Sequence, residues 1–365
     1  MPTTSNNSTT ARRTFLKQTM GFGAVAASSV LSAQAETVSV STDSQRSAEP
    51  VAPPALRPGG TIAVLAPSSP AGDKAEQAAA WLRTRGFVPR ILASARTSGD
   101  YLAGADELRL HDLHQAFAAT DVDAIICLRG GYGSMRFLDE IDFSLIARNP
   151  KPFVGYSDVT ALLLAITRYT GLVTFHGPML ASDLMLDKRP PTESDLFDTL
   201  QGRRVSGQSL TQPPRYPLET IVAGSVSGRL IGGNLATIGA TLGTPFEIDL
   251  DGAILFIEDV GETPQKIDRL LTQLRLAGKL AQVKGILIGD FSEINDPRAS
   301  SDNPVADRRR LRKVWHDLLE PLAVPILAGW KSGHCDPNLT LPIGALVELD
   351  ASTQRLRLEQ NVVRS

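Results

Sequence analysis

Few residues in this chain are placed to do chemistry, and the first of them is a serine. Residues 152–162 read PFVGYSDVTAL. An apolar run climbs to Gly155, meets Tyr156, Ser157 and Asp158, and passes into the helical pattern VTALLLAITRY. Ser and Asp often cap helices, so one reading is local: they close a first turn. The other is chemical: a hydroxyl raised on a sharp strand-to-helix turn, beside helix N–H groups free to receive an oxyanion. The α/β-hydrolase elbow has glycine two residues either side of its nucleophile. Gly155 meets that requirement and Val159 does not, so the stretch departs from that motif.

Several further features bear on this serine. The loop RGGYGSMRFLD follows an apolar run, and Gly130, Gly131 and Gly133 permit positive φ and close backbone approach. It has neither the spacing nor the position of a dinucleotide-binding glycine motif, and it lacks a phosphate-binding lysine. It reads as a source of N–H donors beside Ser157, since parallel strands end on one sheet edge. Glu258 and Asp259 follow the apolar run AILFI, with Glu262 further along. A carboxylate there can simply be solvated, or it can orient a histidine.

Of the five histidines, His111 and His114 stand three apart without a third ligand and read as surface, as does His316 among Lys and Arg. His176, in TFHGPML, reads as buried and hydrogen-bonded. His334 sits after a strand-like run, in a turn of Gly and Pro before Asp336 and Asn338. Ser157, Glu258 and His334 thus form a set in chain order, each after a β-run. Histidine would take the serine's proton, and a carboxylate would fix the imidazole tautomer. No Cys/His/Asp spacing suits structural zinc, and neither a metal nor a cofactor is expected.

These residues need elements to position them. GGTIAVLAPSSP, FVPRILAS, VDAIICLRGGYG and PFVGYSD read as strands, and AEQAAAWLRTRG and ELRLHDLHQAFAA as helices between them. In the latter, Leu108, Leu113 and Phe117 face the core. Strands alternating with helices predict a parallel sheet covered on both faces, over residues 57–180. Residues 181–219, broken by KRPPTES and TQPPRYP, read as an interdomain connection. Residues 220–355 begin small and Gly-rich and continue with strands and helices to LTLPIGALVELDAS. The 365 residues, 42% hydrophobic, suffice for two packed domains.

The N-terminus carries a different message. Arg12 and Arg13 precede Phe15, Leu16 and Lys17, then a modest apolar stretch ending in Ala33-Gln34-Ala35. This is the pattern of a twin-arginine signal with an A-x-A cleavage site, so residues 1–35 are expected to be removed and the mature protein to be periplasmic. Residues 36–56, rich in Ser, Thr and Pro, read as a disordered spacer. Cleavage removes three basic residues and no acid, taking the formal charge from −2 to about −5. That balance excludes an electrostatic case for nucleic acid. No other stretch reaches the ~18 apolar residues of a membrane span. Cys127 and Cys335 are too few for a disulfide scaffold and are expected to stay free thiols.

RGGYGSMRFLDEIDF, KPFVGYSDVTAL, TFHGPM, the long stretch GRLIGGNLATIGATLGTPFEIDLDGAILFIEDVGETPQKIDRLLTQLRLAG, GILIGDF and GHCDPNLTLPIGA resemble the LD-carboxypeptidase family of serine peptidases. That family also contains the microcin C immunity peptidases. The resemblance runs from about Gly59 to about Leu349. It implies a glutamine-amidotransferase-like (flavodoxin-like) α/β N-terminal domain and a smaller β-rich α/β C-terminal domain, with the site between them. It implies a triad of Ser157, Glu258 and His334, and an oxyanion hole from the N–H groups of Gly131 and Asp158. The substrate implied is a murein-derived peptide, cut between an L-centre and a terminal D-alanine. Arg129 then suits the free carboxylate of that substrate, or a structural ion pair. Two other functions remain to be separated: an immunity-type peptidase acting on an aminoacyl-nucleotide or other small amide, and a periplasmic solute receptor without catalysis. The sequence leaves room for a homodimer. If the arginine pair directs export, Arg12→Lys with Arg13→Lys should leave full-length precursor inside the cell. Fractionation and immunoblotting would show this, and mature periplasmic protein at normal yield would refute it.

Overall fold

The computed structural model describes residues 49–292 and 304–365, so the signal and its cleavage site lie outside the described residues. The first sheet is built by β1 (Thr61–Leu65), β2 (Val88–Ile91), β3 (Ala124–Cys127), β4 (Phe153–Gly155) and β5 (Thr174–His176). These are parallel neighbours in the order β5-β4-β3-β1-β2. Between them lie helices α1 (Lys74–Thr84), α2 (Asp106–Ala118), α3 (Phe143–Arg148) and α4 (Thr160–Thr170), and α5 (Thr192–Leu200) follows. Strand β3, AIIC, is fully buried, as a strand covered on both faces must be. Helix α1 buries Ala75, Ala78, Ala79 and Leu82, one face at helical spacing, and the chain turns at Gly86 with φ 82°. In α2, Leu113 and Phe117 are buried as expected, and Leu108 is half-buried.

The second sheet has eight strands: β6 (Ser209–Leu210), β7 (Glu219–Val222), β8 (Ser225–Asn234), β9 (Ile254–Val260), β10 (Gly285–Ser292), β11 (Ile326–Ala328), β13 (Leu346–Asp350) and β14 (Arg355–Leu358). Its centre, β8-β9-β10-β11, is parallel, and its flanks are antiparallel. Helices α6 (Leu235–Thr241), α7 (Pro264–Leu276) and α8 (Pro304–Leu318) belong to this half. The Gly-rich stretch before β9 is therefore a ten-residue strand running into a helix. Glycine lowers strand propensity, which hid β8 from a reading by residue type.

Three expectations change. Residues 49–56 of the predicted disordered spacer are tied down: Val51 and Pro54 bridge to Leu172 and Arg364, and Leu56 is buried. Residues 181–219 are more than a connection, since they hold α5 and β6 at one end of the second sheet and lead into β7 at the other. The run LTLPIGALVELD is split: Leu341–Ile343 forms β12, which leaves the C-terminal half and adds to the first sheet antiparallel to β5. Only β13 stays with the second sheet. One apolar cluster consequently joins the halves, taking in Val64, Ile126 and Phe175 with Phe256, Ile257 and Leu341. Cys127 lies in the core of the first sheet, and both cysteines are buried and unbridged.

Because β12 is the stitch between the sheets, Leu341→Ala should lower the unfolding free energy by about 2–5 kcal/mol, the usual cost of truncating a fully buried leucine. Denaturant titration measures it, and a loss under about 0.5 kcal/mol would show that the stitch carries little.

Candidate active site

Ser157 stands at the carboxyl end of β4, in a short 3₁₀ turn (Ser157–Val159) leading into α4. Its φ is 63°, a left-handed value that a residue with a Cβ adopts at a cost of about 1–3 kcal/mol. Surrounding structure must hold it there. Asp158 does much of this with its side chain. Its carboxylate accepts from Ser68 Oγ at 2.5 Å, Ser134 N at 2.9 Å and Gly133 N at 3.3 Å, while Ser134 Oγ donates to the Asp158 carbonyl at 2.7 Å. The glycine loop is thereby tied to the serine turn.

Arg109, fully buried on α2, clamps the same loop from the other side. Its Nη1 donates to Pro67 O at 2.7 Å and to Gly133 O at 2.8 Å, and its Nη2 pairs with Asp106. Sequence reasoning passed over Arg109. The available signal was a basic residue on the helix face that carries Leu113 and Phe117. At Gly131, with φ 119°, a Cβ would overlap Ser69 Oγ, so only glycine lets this loop close on its neighbour.

His334 and Glu258 come from the second half. Glu258 lies inside β9, not after it as expected, and is fully buried. Asp259 points to the opposite face, as strand alternation requires, and binds Asn234 Nδ2 and the N–H groups of Ala236 and Val260. Burial pushes its pKa up to about 6 against those bonds, with the neighbouring Glu258 charge adding to the rise. Glu262 is occupied elsewhere, pairing with Lys266 one helical turn on.

Glu258 Oε2 accepts from His334 Nδ1 at 2.8 Å and from His334 N at 3.2 Å. Because a carboxylate only accepts, Nδ1 carries the proton, and Nε2 is the acceptor facing Ser157 Oγ at 3.1 Å. Gly333 makes this contact sterically feasible, since a Cβ there would collide with the Glu258 carboxylate. Burial disfavours the imidazolium of His334, yet the hydrogen bond and charge of Glu258, with Asp259 and Asp183 behind it, outweigh burial and raise its pKa above the ordinary 6.5.

These residues open on a cleft of about 400 Å³ lined by Arg129, Gly131, Tyr156, Ser157, Lys188 and His334 among others. Arg129 forms no ion pair among the described residues. Its one hydrogen bond is to Pro70 O at 3.2 Å. Lys188, also missed from sequence, is held by Cys335 O at 2.9 Å and Asp183 at 3.5 Å. Of the remaining histidines, His111 and His316 are exposed, and His316 pairs with Glu320. His114 is half-buried and accepts from Asp142 N. His176 is buried, but neither ring nitrogen has a hydrogen-bond partner in the protein, contrary to expectation. Among the described residues no group of three His, Cys, Asp or Glu is arranged to hold a metal, and no helix is long and apolar enough to cross a membrane.

Two α/β sheets converging on serine, histidine and glutamate in one hydrogen-bonded line define the architecture of a serine hydrolase. Residues 62–177 match the LD-carboxypeptidase N-terminal domain, and residues 227–349 match the LD-carboxypeptidase C-terminal domain. A probable murein peptide carboxypeptidase of Bacillus subtilis is 40% identical over 316 residues, covering 85% of this chain and 95% of its own. The crystal structure of muramoyltetrapeptide carboxypeptidase from Oxalobacter formigenes is 30% identical, with a TM-score of 0.70 over 82% of this chain and 97% of that one. The microcin C7 self-immunity protein MccF, known from Escherichia coli, has a wild-type structure 27% identical to this chain. It gives a TM-score of 0.76 over 86% of this chain and all of that one. The chain belongs to the LD-carboxypeptidase family and is a peptidase.

Two results follow from the geometry. Glu258→Gln should lower kcat by about 10²–10⁴ with KM little changed, whereas Glu262→Gln should cost under about tenfold. A base must be neutral, so kcat/KM should rise with pH through a value above 6.5, and Glu258→Gln should move that limb to lower pH. Steady-state kinetics across pH on both variants tests this, and a crippled Glu262→Gln beside a near-normal Glu258→Gln would overturn the choice of acid.

Proposed function

We propose that the protein is a metal-independent serine carboxypeptidase that releases a terminal D-amino acid, D-alanine in a murein tetrapeptide, from the L-centre before it. The observation that carries this is the line from Ser157 Oγ through His334 to the buried Glu258. His334 Nε2 takes the Ser157 proton as Oγ attacks the carbonyl of the L-residue, and Glu258 stabilises the imidazolium that forms. The N–H groups of Gly131 and Asp158 receive the oxyanion. His334 then returns the proton to the amine of the departing D-amino acid, leaving an acyl-enzyme on Ser157. Water attacks that ester with His334 again as base, and the shortened peptide leaves with its new carboxylate.

Arg129, half-buried in the cleft and without an ion pair, is the group we assign to the carboxylate of the departing residue. We place the mature enzyme in the periplasm. The support is Arg12-Arg13 with the Ala33-Gln34-Ala35 site. The names of the carboxypeptidase relatives support a murein peptide. Likeness to the self-immunity protein supports a second reading, hydrolysis of an aminoacyl-nucleotide or other small amide. A solute receptor needs no such line of side chains.

Purified mature protein incubated with peptides ending in an L-centre and D-alanine should release D-alanine, read by mass spectrometry. Ser157→Ala should bind the peptide and abolish release. Arg129→Met should raise KM at least tenfold for the free acid and little for the C-terminal amide. Turnover of an aminoacyl-nucleotide but of no peptide would favour the second reading, and turnover by Ser157→Ala would refute the mechanism.

A further inference from the structure

Beneath His334 the protein buries polar atoms that its own chain does not satisfy. Glu258 gives one carboxylate oxygen, Oε2, to both donors of His334, while Oε1 is buried with no partner in the protein. Both ring nitrogens of His176 are in the same condition among the described residues. Two separate segments bring these side chains together. His176 ends β5 and meets Phe256 edge-on, with ring centroids 4.9 Å apart. Phe256 lies two residues before Glu258 on the same face of β9. Tyr156 packs on both histidine rings, at 5.7 Å from His176 and 4.9 Å from His334.

The chemistry of the orphans is complementary. Burial holds the His176 imidazole down to about 4 despite the attraction of Glu258, so it is neutral at working pH, with one donor and one acceptor. Glu258 Oε1 adds an acceptor. Leaving such groups unpaired in a buried site is unfavourable. A small molecule that accepts from one ring N–H and donates to Oε1 satisfies both, and buried water with two to four polar partners is the common solution.

We infer that His176 holds a buried water against Glu258 Oε1, which makes His176 a positioning residue for the carboxylate that orients His334. The inference rests on the catalytic line proposed above. With both oxygens bonded, the Glu258 carboxylate cannot turn about its terminal torsion, and Oε2 stays aimed at His334. His176 itself touches neither the cleft nor Ser157. Among the described residues, the charged and titratable groups acting on His334 are Glu258, which faces it from β9, Asp259 on the other face of β9, Asp183 before α5, and His176 from β5, with Tyr156 beside the ring.

The test is His176→Leu, with His176→Gln as the conservative variant and His176→Phe as a second route should His176→Leu fail to fold. His176→Leu should lower the melting temperature, because it takes a partner from the water that satisfies Glu258 Oε1. It should also lower kcat about 10–100-fold at unchanged KM, the range for groups that orient a functional side chain. The acid limb of its pH profile should move down, as in Glu258→Gln but less far. His176→Gln should recover most of kcat. A high-resolution crystal structure should show ordered water within hydrogen-bond distance of Glu258 Oε1 and His176. Normal kcat and pH limb in His176→Leu, or no water at that place, would overturn the inference. Ser157→Ala, assayed alongside, distinguishes this failure from failure of the catalytic line: if it is inactive while His176→Leu is normal, only the positioning role falls.

Discussion

A carboxylate with no access to solvent is the constraint on which this structure depends. Burying an ionised group costs several kcal/mol unless donors replace water. Glu258 receives the ring and backbone N–H of His334, so the loop after β11 must come to β9 and stay there. Much of the surrounding architecture serves that end. Gly333 N donates to Asn338 Oδ1, Ser332 Oγ to Leu339 O, and Arg189 N to Asp336 Oδ1. Thr192 Oγ1 and Asp195 accept from the N–H groups of Asn338 and Thr340. Residues 181–219 are thus a brace that fixes the histidine loop, with Asp183 and Lys188 closing it on the cleft side.

Ser157 is held by an analogous device in the first sheet. Ser157 occupies a backbone conformation that is unfavourable by itself, and Asp158 and Arg109 lock the turns on either side of it. Both devices use a buried carboxylate that accepts from backbone and side-chain donors together. Such a charge is costly to leave unpaired, so each loop has one low-energy position. The two half-sites meet because β12 runs from the histidine loop straight into the first sheet, beside β5. The distance from His334 Nε2 to Ser157 Oγ is therefore set by sheet hydrogen bonding as well as by loop packing.

Much of the fold was legible because its strands are buried on both faces. AIIC and AILFI read as continuous apolar runs, and alternation with amphipathic helices gave the parallel arrangement. Strand β8 was not legible, because its glycines carry no β signal, and β12 was taken for part of the second half. Neither error is local: pairing partners are chosen by which edge is free in the assembled sheet.

By itself the sequence offered Ser157, a carboxylate at Glu258 or Asp259, and His334, in that chain order, each following an apolar run. It also determined the glycines that allow close approach. Periodicity and turn chemistry are short-range, and they survive in a linear reading. Only the tertiary structure decided that Glu258 and not Asp259 faces the histidine, that Asp158 ties the glycine loop, and that Arg109 and Lys188 belong to the site. It also put His176 near the Glu258 carboxylate, with its ring nitrogens unpartnered among the described residues. The physical reason is that hydrogen bonds between distant segments depend on strand facing and register. A shift of one residue turns every side chain to the other face, and no residue type by itself records that choice.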